Sequence, residues 1–218
     1  MKKRTIIAFV LLLLLTTITF RQKIFYPKFE IKEIIVENNL IIKEKEIKKL
    51  ILSIYTKNLL LLKNSDIEKE LMKNSFVDSF VIKKKYPDKL IIKIYEKRPI
   101  AIIVKKKKRY YLSEKIDLIE FKNFRKFQNL PYIFGDEKEF EVLYKNLNKI
   151  NFPLKLIKKY SLYETNRWDL ETYDNKVIKL PSKGYSKSLE NYLSLLDKKN
   201  FEKFKLFDYR INNQLILK

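Results

Sequence analysis

The stretch that most constrains this chain runs from Phe76 to Ala101, FVDSFVIKKKYPDKLIIKIYEKRPIA. It reads as two strands joined by a tight turn. Phe80 and Ile82 alternate along the first, and Leu90, Ile92 and Ile94 along the second, with Lys93 between them. That period of two places one apolar row on one face of a sheet. Tyr86, Pro87, Asp88 and Lys89 mark the reversal, because proline presets one turn dihedral and lacks a ladder amide. Upstream, Phe29 to Val36 reads as another strand, ended by Asn38 and Asn39. Two short helices are expected between that strand and the hairpin. The first runs from about Lys43 to Ile54, with Ile47, Leu50, Ile51 and Ile54 at i, i+3, i+4 and i+7. The second opens with Ser65-Asp66-Ile67-Glu68, a spacing at which Ser65 and Glu68 satisfy each other's amides in a capping box. Ile67 and Leu71 then share one face. The order β-α-α-β-β is one sheet with one helical face, in roughly 70 residues, near the lower limit for a self-standing domain.

The amino terminus adds a second constraint. Met1-Lys2-Lys3-Arg4 is basic, and Thr5 to Phe20 is uncharged and mostly apolar. Its candidate anchor residues are Ile6, Ile7, Phe9, Val10, Leu11, Leu12, Leu13, Leu14, Leu15, Ile18 and Phe20. A helix rises ~1.5 Å per residue, so a bilayer core needs about 20 residues. The run reaches that length only if Arg21 and Lys23 snorkel and Ile24-Phe25-Tyr26 sit at the interface. A cleaved signal peptide is the alternative. It wants small residues in an A-x-A-like pattern, and only Thr16, Thr17 and Thr19 are near. The expectation is a short cytoplasmic tail at 1–5 and a retained single-pass anchor at 6–26. Lys2, Lys3 and Arg4 would hold the amino terminus in the cytoplasm and leave everything after about Tyr26 outside.

Composition removes whole classes of function. Cysteine and histidine are absent, which excludes thiolate and imidazole metal sites, Cys–His pairs and Ser-His-Asp triads. No Asp/Glu cluster has the spacing of a hard-cation loop. The two glycines, Gly135 and Gly184, lie in no phosphate-cradling pattern. No catalytic constellation stands out, so neither an enzyme, a cofactor, a metal nor a small-molecule substrate is expected. A formal charge of +22 invites a nucleic-acid reading. Arginine, however, supplies only seven of the 48 basic residues, and bidentate phosphate and base recognition favours arginine. The chain is crowded with Lys, Ile, Asn, Phe and Tyr, the bias of AT-rich codons. Its lysines are expected on solvated faces, with no nucleic-acid partner. The run Lys105 to Arg109 is expected to be a strand-end turn, with contact to anionic lipid headgroups as a minor alternative.

After Pro99 the pattern becomes strand-rich. Ile100 to Val104 and Tyr110 to Leu112 form a hairpin around the lysine run, and Ile116 to Phe121 is a further strand. Leu130 to Gly135 is a short strand into a turn. A helix carries Phe140, Leu143, Tyr144, Leu147 and Ile150 at helical spacing. Strands resume at Leu156 to Leu162, Arg167 to Tyr173 and Val177 to Pro181. Ser186 to Lys198 is a helix with Leu189, Tyr192, Leu193 and Leu196 on one face. The chain closes on a strand from Phe207 to Ile211, then Asn212-Asn213 and Leu215 to Leu217. Trp168 is expected in the core.

These pieces carry a resemblance. Phe29 to Ala101 looks like a POTRA domain, and Glu96-Lys97-Arg98-Pro99-Ile100-Ala101 resembles the E-R-x-P-x-A exit of the POTRA domain in the FtsQ/DivIB family. Leu130-Pro131 with Gly135, Arg167-Trp168-Asp169-Leu170, Lys179-Leu180-Pro181 and Asp208-Tyr209-Arg210 follow in that family's order. Asn38-Asn39 stands where the family has a glycine-containing turn. Asn175-Lys176 stands where it often has Asn-Gly, so Asn must supply the positive dihedrals. The fold class implied is α+β: an amino-terminal transmembrane helix, a POTRA domain at 28–98, and a mostly antiparallel β domain with two or more helices at 99–218. The break is expected at Pro99, which cannot continue a central ladder.

The resemblance implies a non-enzymatic scaffold of septum formation. It would be a single-pass protein of the inner membrane, with its carboxy-terminal domains in the periplasm at the division septum. Its implied partners are FtsB and FtsL and, through them, the septal peptidoglycan synthases. The first domain would serve localisation and the second would bind FtsB. The expected mechanism is strand addition at the last strand, whose open row of amides and carbonyls a partner completes. The candidate partner-binding residues are Arg167, Asp208, Tyr209, Arg210, Ile211, Leu215, Ile216 and Leu217. Tyr209 and Ile211 are expected on one face, Asp208 and Arg210 on the other, with Arg210 able to clamp a partner carboxylate. The runner-up is a POTRA-containing secretion or outer-membrane assembly accessory protein. That class should carry several POTRA repeats or a long membrane barrel, and neither pattern follows Ala101.

Overall fold

The computed structural model describes residues 2–17, 29–196, 198–211 and 213–218. Helix α1 spans Lys2–Thr17, 16 residues, or about 24 Å at the usual rise, against a bilayer core of about 30 Å. Among the described residues no helix is long and apolar enough to cross a membrane. α1 by itself is therefore shorter than the expected spanning helix. The remainder of the expected anchor, residues 18–26 with Ile18 and Phe20, lies outside the described residues. The leucines of α1 are exposed, Leu15 at 71%.

The chain divides into two compact units, Met1–Lys73 with Phe80–Ile94, and Asn74–Ser79 with Tyr95–Lys218. The first contains β1 (Glu33–Glu37), α2 (Glu44–Leu50), a short 3-10 turn (Leu52–Ile54) and α3 (Asn64–Leu71). It also takes most of β2 (Val77–Lys85) and β3 (Lys89–Glu96). The expected β-α-α-β-β order is present, in a sheet ordered β1-β3-β2. β1 runs parallel to β3, with Ile34 opposite Leu90 and Val36 opposite Ile92. A parallel pair needs a long crossover, and α2 and α3 form it. Ile47, Ile51, Ile54, Ile67 and Leu71 bury the helical face, and Leu90, Ile92 and Ile94 the sheet face. Asn38 sits at φ 64 and its amide donates to the Ile94 carbonyl at 2.9 Å, so asparagine supplies the left-handed turn that a glycine would. The capping expectation is corrected. α3 starts two residues earlier than Ser65 requires, and Asp66 rather than Glu68 reaches back, accepting from the Lys63 amide at 3.5 Å.

The second unit is built on nine strands. β4 (Pro99–Lys105) and β5 (Lys108–Ser113) form a hairpin whose two turn residues, Lys106 and Lys107, have φ of 47 and 66. The lysine run is therefore a tight turn that matches strand twist. There follow β6 (Leu118–Glu120), β7 (Tyr132–Phe134), α4 (Glu137–Lys149), β8 (Ile157–Tyr163), β9 (Arg167–Thr172) and β10 (Val177–Lys179). α5 (Tyr185–Leu196), β11 (Leu206–Asp208) and β12 (Ile216–Leu217) complete the unit. The sheet order is β12-β11-β10-β9-β8-β7-β4-β5-β6. Five of its eight pairings are antiparallel. The parallel pairs β7–β8 and β10–β11 arise because α4 and α5 each return the chain to the same end, and β4–β7 is parallel as well.

One rung explains the core. Ile103, Ile133, Tyr160, Leu170, Ile178, Phe207 and Leu217 lie opposite one another across seven adjacent strands, β4 to β12 in sheet order. Directly opposed residues point to the same face. This face packs against Phe140, Leu143 and Leu147 of α4 and Leu189, Tyr192 and Leu195 of α5. The register of α5 corrects one expectation: Leu195 is buried, whereas Leu193 and Leu196 only flank the core. Trp168 is buried in the same cluster. A Cβ on Gly135 would meet Leu162 Cβ at 2.7 Å and the Trp168 ring at 3.1 Å, so a glycine is needed where β7 meets that packing. Asp136 caps α4, accepting from the Lys138 amide at 2.8 Å. Asn175 takes φ 62 at the β9–β10 turn, the positive dihedral that the sequence asks of asparagine there.

Candidate partner-binding edge

β12 is an edge strand. Among the described residues it pairs only with β11, placing Phe207 opposite Leu217 and Asp208 opposite Ile216. Leu206 and Lys218 exchange both backbone bonds, at 3.2 and 3.0 Å. Antiparallel pairs alternate between bonded and non-bonded, so the next residue, Leu217, turns its N–H and C=O away from β11 toward the open side. The strand that the sequence places at Phe207 to Ile211 is shorter than expected. β11 stops at Asp208, and the Tyr209 amide makes the last bond to β10, donating to the Lys179 carbonyl at 2.9 Å. Tyr209 and Ile211 therefore do not share a strand face. Tyr209 is buried, its hydroxyl donating to Asn191 Oδ1 at 2.9 Å, and burial pushes its phenol above the ordinary range. Ile211 is exposed, and Asn212 lies outside the described residues.

The candidate residues fall on two faces. Leu215 and Leu217 pack against the core cluster beside Tyr209. On the opposite face a second rung runs Ser161, Asp169, Lys179, Asp208, Ile216 across β8 to β12. Three charges of alternating sign thus lead to Ile216, which is 39% exposed at the edge. Arg167 and Arg210 flank this row. Arg210 grips Asp208 with Nε to Oδ1 at 2.8 Å and Nη2 to Oδ2 at 2.6 Å, and its backbone amide donates to Oδ1 at 3.1 Å. Those bonds hold the Asp208 carboxyl below its usual range. Asp169 differs. Burial pushes its pKa up, and Arg167, whose Nε lies 3.5 Å from Oδ1, with Lys179 and Arg210, only partly offsets it. The Arg167 guanidinium also sits 4.3 Å over the Tyr163 ring.

Arg210 is thus already engaged in a fork-like pair within the chain, while Ile216 and the outward backbone of Leu217 are presented at the edge. Beside them lies a cavity of about 630 Å³. Tyr209, Ile211 and Leu215 line it, with Lys183 and Lys187 near the start of α5. Sequence reading missed Asp169 and Lys179 as members of the charged row. Their alignment exists only in the cross-strand register, and no spacing along the chain reports it.

Two family models fit the chain in the order of these units. The FtsQ-type POTRA domain matches residues 29–97. The carboxy-terminal domain of the cell division protein FtsQ/DivIB matches residues 101–210, just short of β12. A cell division protein FtsQ from Rickettsia conorii (strain ATCC VR-613 / Malish 7) is 25% identical over 191 residues, covering 85% of this chain and 71% of the relative. With both domains matched in sequence order, the chain belongs to the FtsQ/DivIB family of cell division proteins.

Proposed function

We propose that this protein is a non-catalytic division scaffold of the inner membrane that binds FtsB by strand addition at β12, and through FtsB and FtsL reaches the septal peptidoglycan synthases. The amino terminus is cytoplasmic, the apolar run at 6–26 is the anchor, and residues 28–98 and 99–218 act in the periplasm. The first part serves localisation and the second binds FtsB. The observation that carries this reading is the outward backbone of Leu217 on a strand that, among the described residues, is paired on one side only. Backbone pairing supplies affinity there, and side chains beside the edge supply specificity.

Proline at Leu217 removes an outward donor while leaving the bonds to β11, which edge positions tolerate. Binding of FtsB to the full chain in lipid nanodiscs should fall at least ~10-fold in Leu217→Pro, against about 3-fold or less in Leu217→Ala. Arg210→Glu should weaken it by breaking the pair with Asp208 beside the edge. A folded Leu217→Pro protein that binds FtsB normally ends the strand-addition mechanism. Topology is separately testable because the chain has no cysteine. A single cysteine at Lys93 should react with a membrane-impermeant maleimide in intact spheroplasts, and one at Lys3 should not. The reverse pattern overturns the orientation.

A further inference from the structure

A second cavity, of about 720 Å³, opens in the nine-stranded unit away from the β12 edge. Its walls are apolar: Leu130, Pro131, Phe140, Tyr144, Leu154 and Ile157. Its size and lining are those of a small-molecule site. Tyr160 also lines it. This residue belongs to the apolar rung and is only 2% exposed. Its ring packs edge-on against Phe140 at 5.2 Å, yet its hydroxyl makes no hydrogen bond among the described residues. No fully buried polar side-chain atom among the described residues lacks a partner, so this hydroxyl must open onto the cavity. Burial raises its pKa well above the ordinary phenol value, which keeps it a neutral donor. The neighbouring tyrosine on the wall is different: the Tyr173 hydroxyl donates to the Asn129 carbonyl at 2.7 Å. At the rim, Arg98 is paired with Glu114 at 3.6 Å, and Lys155 is exposed without an ion pair among the described residues.

We propose that this cavity binds a small amphiphile with an aromatic or aliphatic body, a neutral hydrogen-bond acceptor that reaches the Tyr160 hydroxyl, and an anionic group at Lys155. An apolar body replaces water against the walls. The acceptor satisfies a hydroxyl that has no protein partner among the described residues. The anion meets Lys155, a rim cation that no carboxylate among the described residues neutralises. The site does not depend on strand addition, because its walls come from α4 and from β4 and β8 in the middle of the sheet, and none from β11 or β12.

The test uses the full chain in lipid nanodiscs, with empty nanodiscs as the blank. The probe is a fluorescent methoxynaphthylacetate whose ether and carboxylate lie at opposite ends. Saturable binding is expected. It should be about 3- to 10-fold tighter than for naphthylacetate, which lacks the ether oxygen, and Tyr160→Phe should abolish that difference. The acetamide analogue should bind more weakly than the carboxylate in the wild type and equally in Lys155→Gln. Leu154→Trp fills the cavity and should weaken the probe at least ~10-fold, with folding verified by near-UV circular dichroism. Binding no stronger than to empty nanodiscs, or an ether advantage that survives Tyr160→Phe, overturns the proposal.

Discussion

At one edge of the nine-stranded sheet, the Glu120 amide of β6 donates to the Ser75 hydroxyl at 3.0 Å. Past β6 the chain turns back, stacking Phe121, Phe124 and Phe127 around Tyr111 and Phe76. At the other edge, β12 offers the Leu217 backbone and an exposed Ile216, with no other described strand beside it. Both edges present the same backbone chemistry. They differ in whether something satisfies it locally, which is how folded proteins keep a sheet from adding strands indiscriminately. A sheet can therefore be closed on one side and receptive on the other without any difference in strand type.

The largest expected effect tests whether the rung is a core up to its last member. Leu170→Ala, at the centre, should cost about 2–5 kcal/mol, whereas Leu217→Ala at the half-buried end should cost about 1 kcal/mol. Urea unfolding followed by the single tryptophan, buried Trp168, reads both. Equal losses would mean that the β12 edge is packed as firmly as the interior. Gly135→Ala comes next, at about 1–3 kcal/mol, because its methyl would overlap Leu162. A neutral outcome there would show that β7 has slack the geometry does not suggest.

The two aspartates of the charged row sharpen the comparison by their opposite signs. The Asp208 carboxyl is held below its unfolded value, so its stabilisation is complete above about pH 4 and is lost as pH falls through the folded value. Asp208→Asn should therefore be less stable than wild type at neutral pH, by less than the Gly135→Ala loss, with the gap closing in acid. Asp169 is raised by burial, so its ionisation costs stability as pH rises through the folded value. Asp169→Asn should be neutral or stabilising at pH 7. Urea midpoints between about pH 3 and 7 decide this, and matching profiles for the two variants would remove the distinction between the edge pair and the interior carboxylate. The smallest effect concerns the closed edge. Ser75→Ala should cost about 1 kcal/mol and speed hydrogen exchange at the Glu120 amide. If that amide exchanges no faster, the serine is not what closes β6.

Much of the fold was legible along the chain because its signals are local. The apolar alternation of Leu90, Ile92 and Ile94 and the helical spacing of Phe140, Leu143 and Leu147 match the elements they became. Asn175 took the positive dihedral its turn demanded. Errors gathered where a local signal competed with a tertiary one. Ser65 and Glu68 have the right spacing for a cap, but the chain enters α3 two residues sooner and Asp66 reaches back instead. Leu196 continues the helical stripe of α5, yet the sheet below accepts Leu195. The alternation of Asp208, Tyr209, Arg210 and Ile211 reads as a strand, but the ladder ends after the Tyr209 amide bonds the Lys179 carbonyl, and the Arg210 amide turns to the Asp208 carboxylate instead.

The candidate site shows the same division. The residue types around the edge could be named from sequence, since Asp208, Tyr209 and Arg210 carry the family's pattern. By itself the sequence determined which segments become strands and helices, where the chain turns, and which chemistries are absent for want of cysteine and histidine. Only the tertiary structure decided which strands neighbour each other. Pairing sets Asp169, Lys179 and Asp208 in one row and Leu170, Ile178, Phe207 and Leu217 in another. It also sets Tyr160 in the wall of a cavity. The physical reason is that a side chain's face follows from its own strand's period of two, whereas its neighbours follow from register between segments distant in sequence.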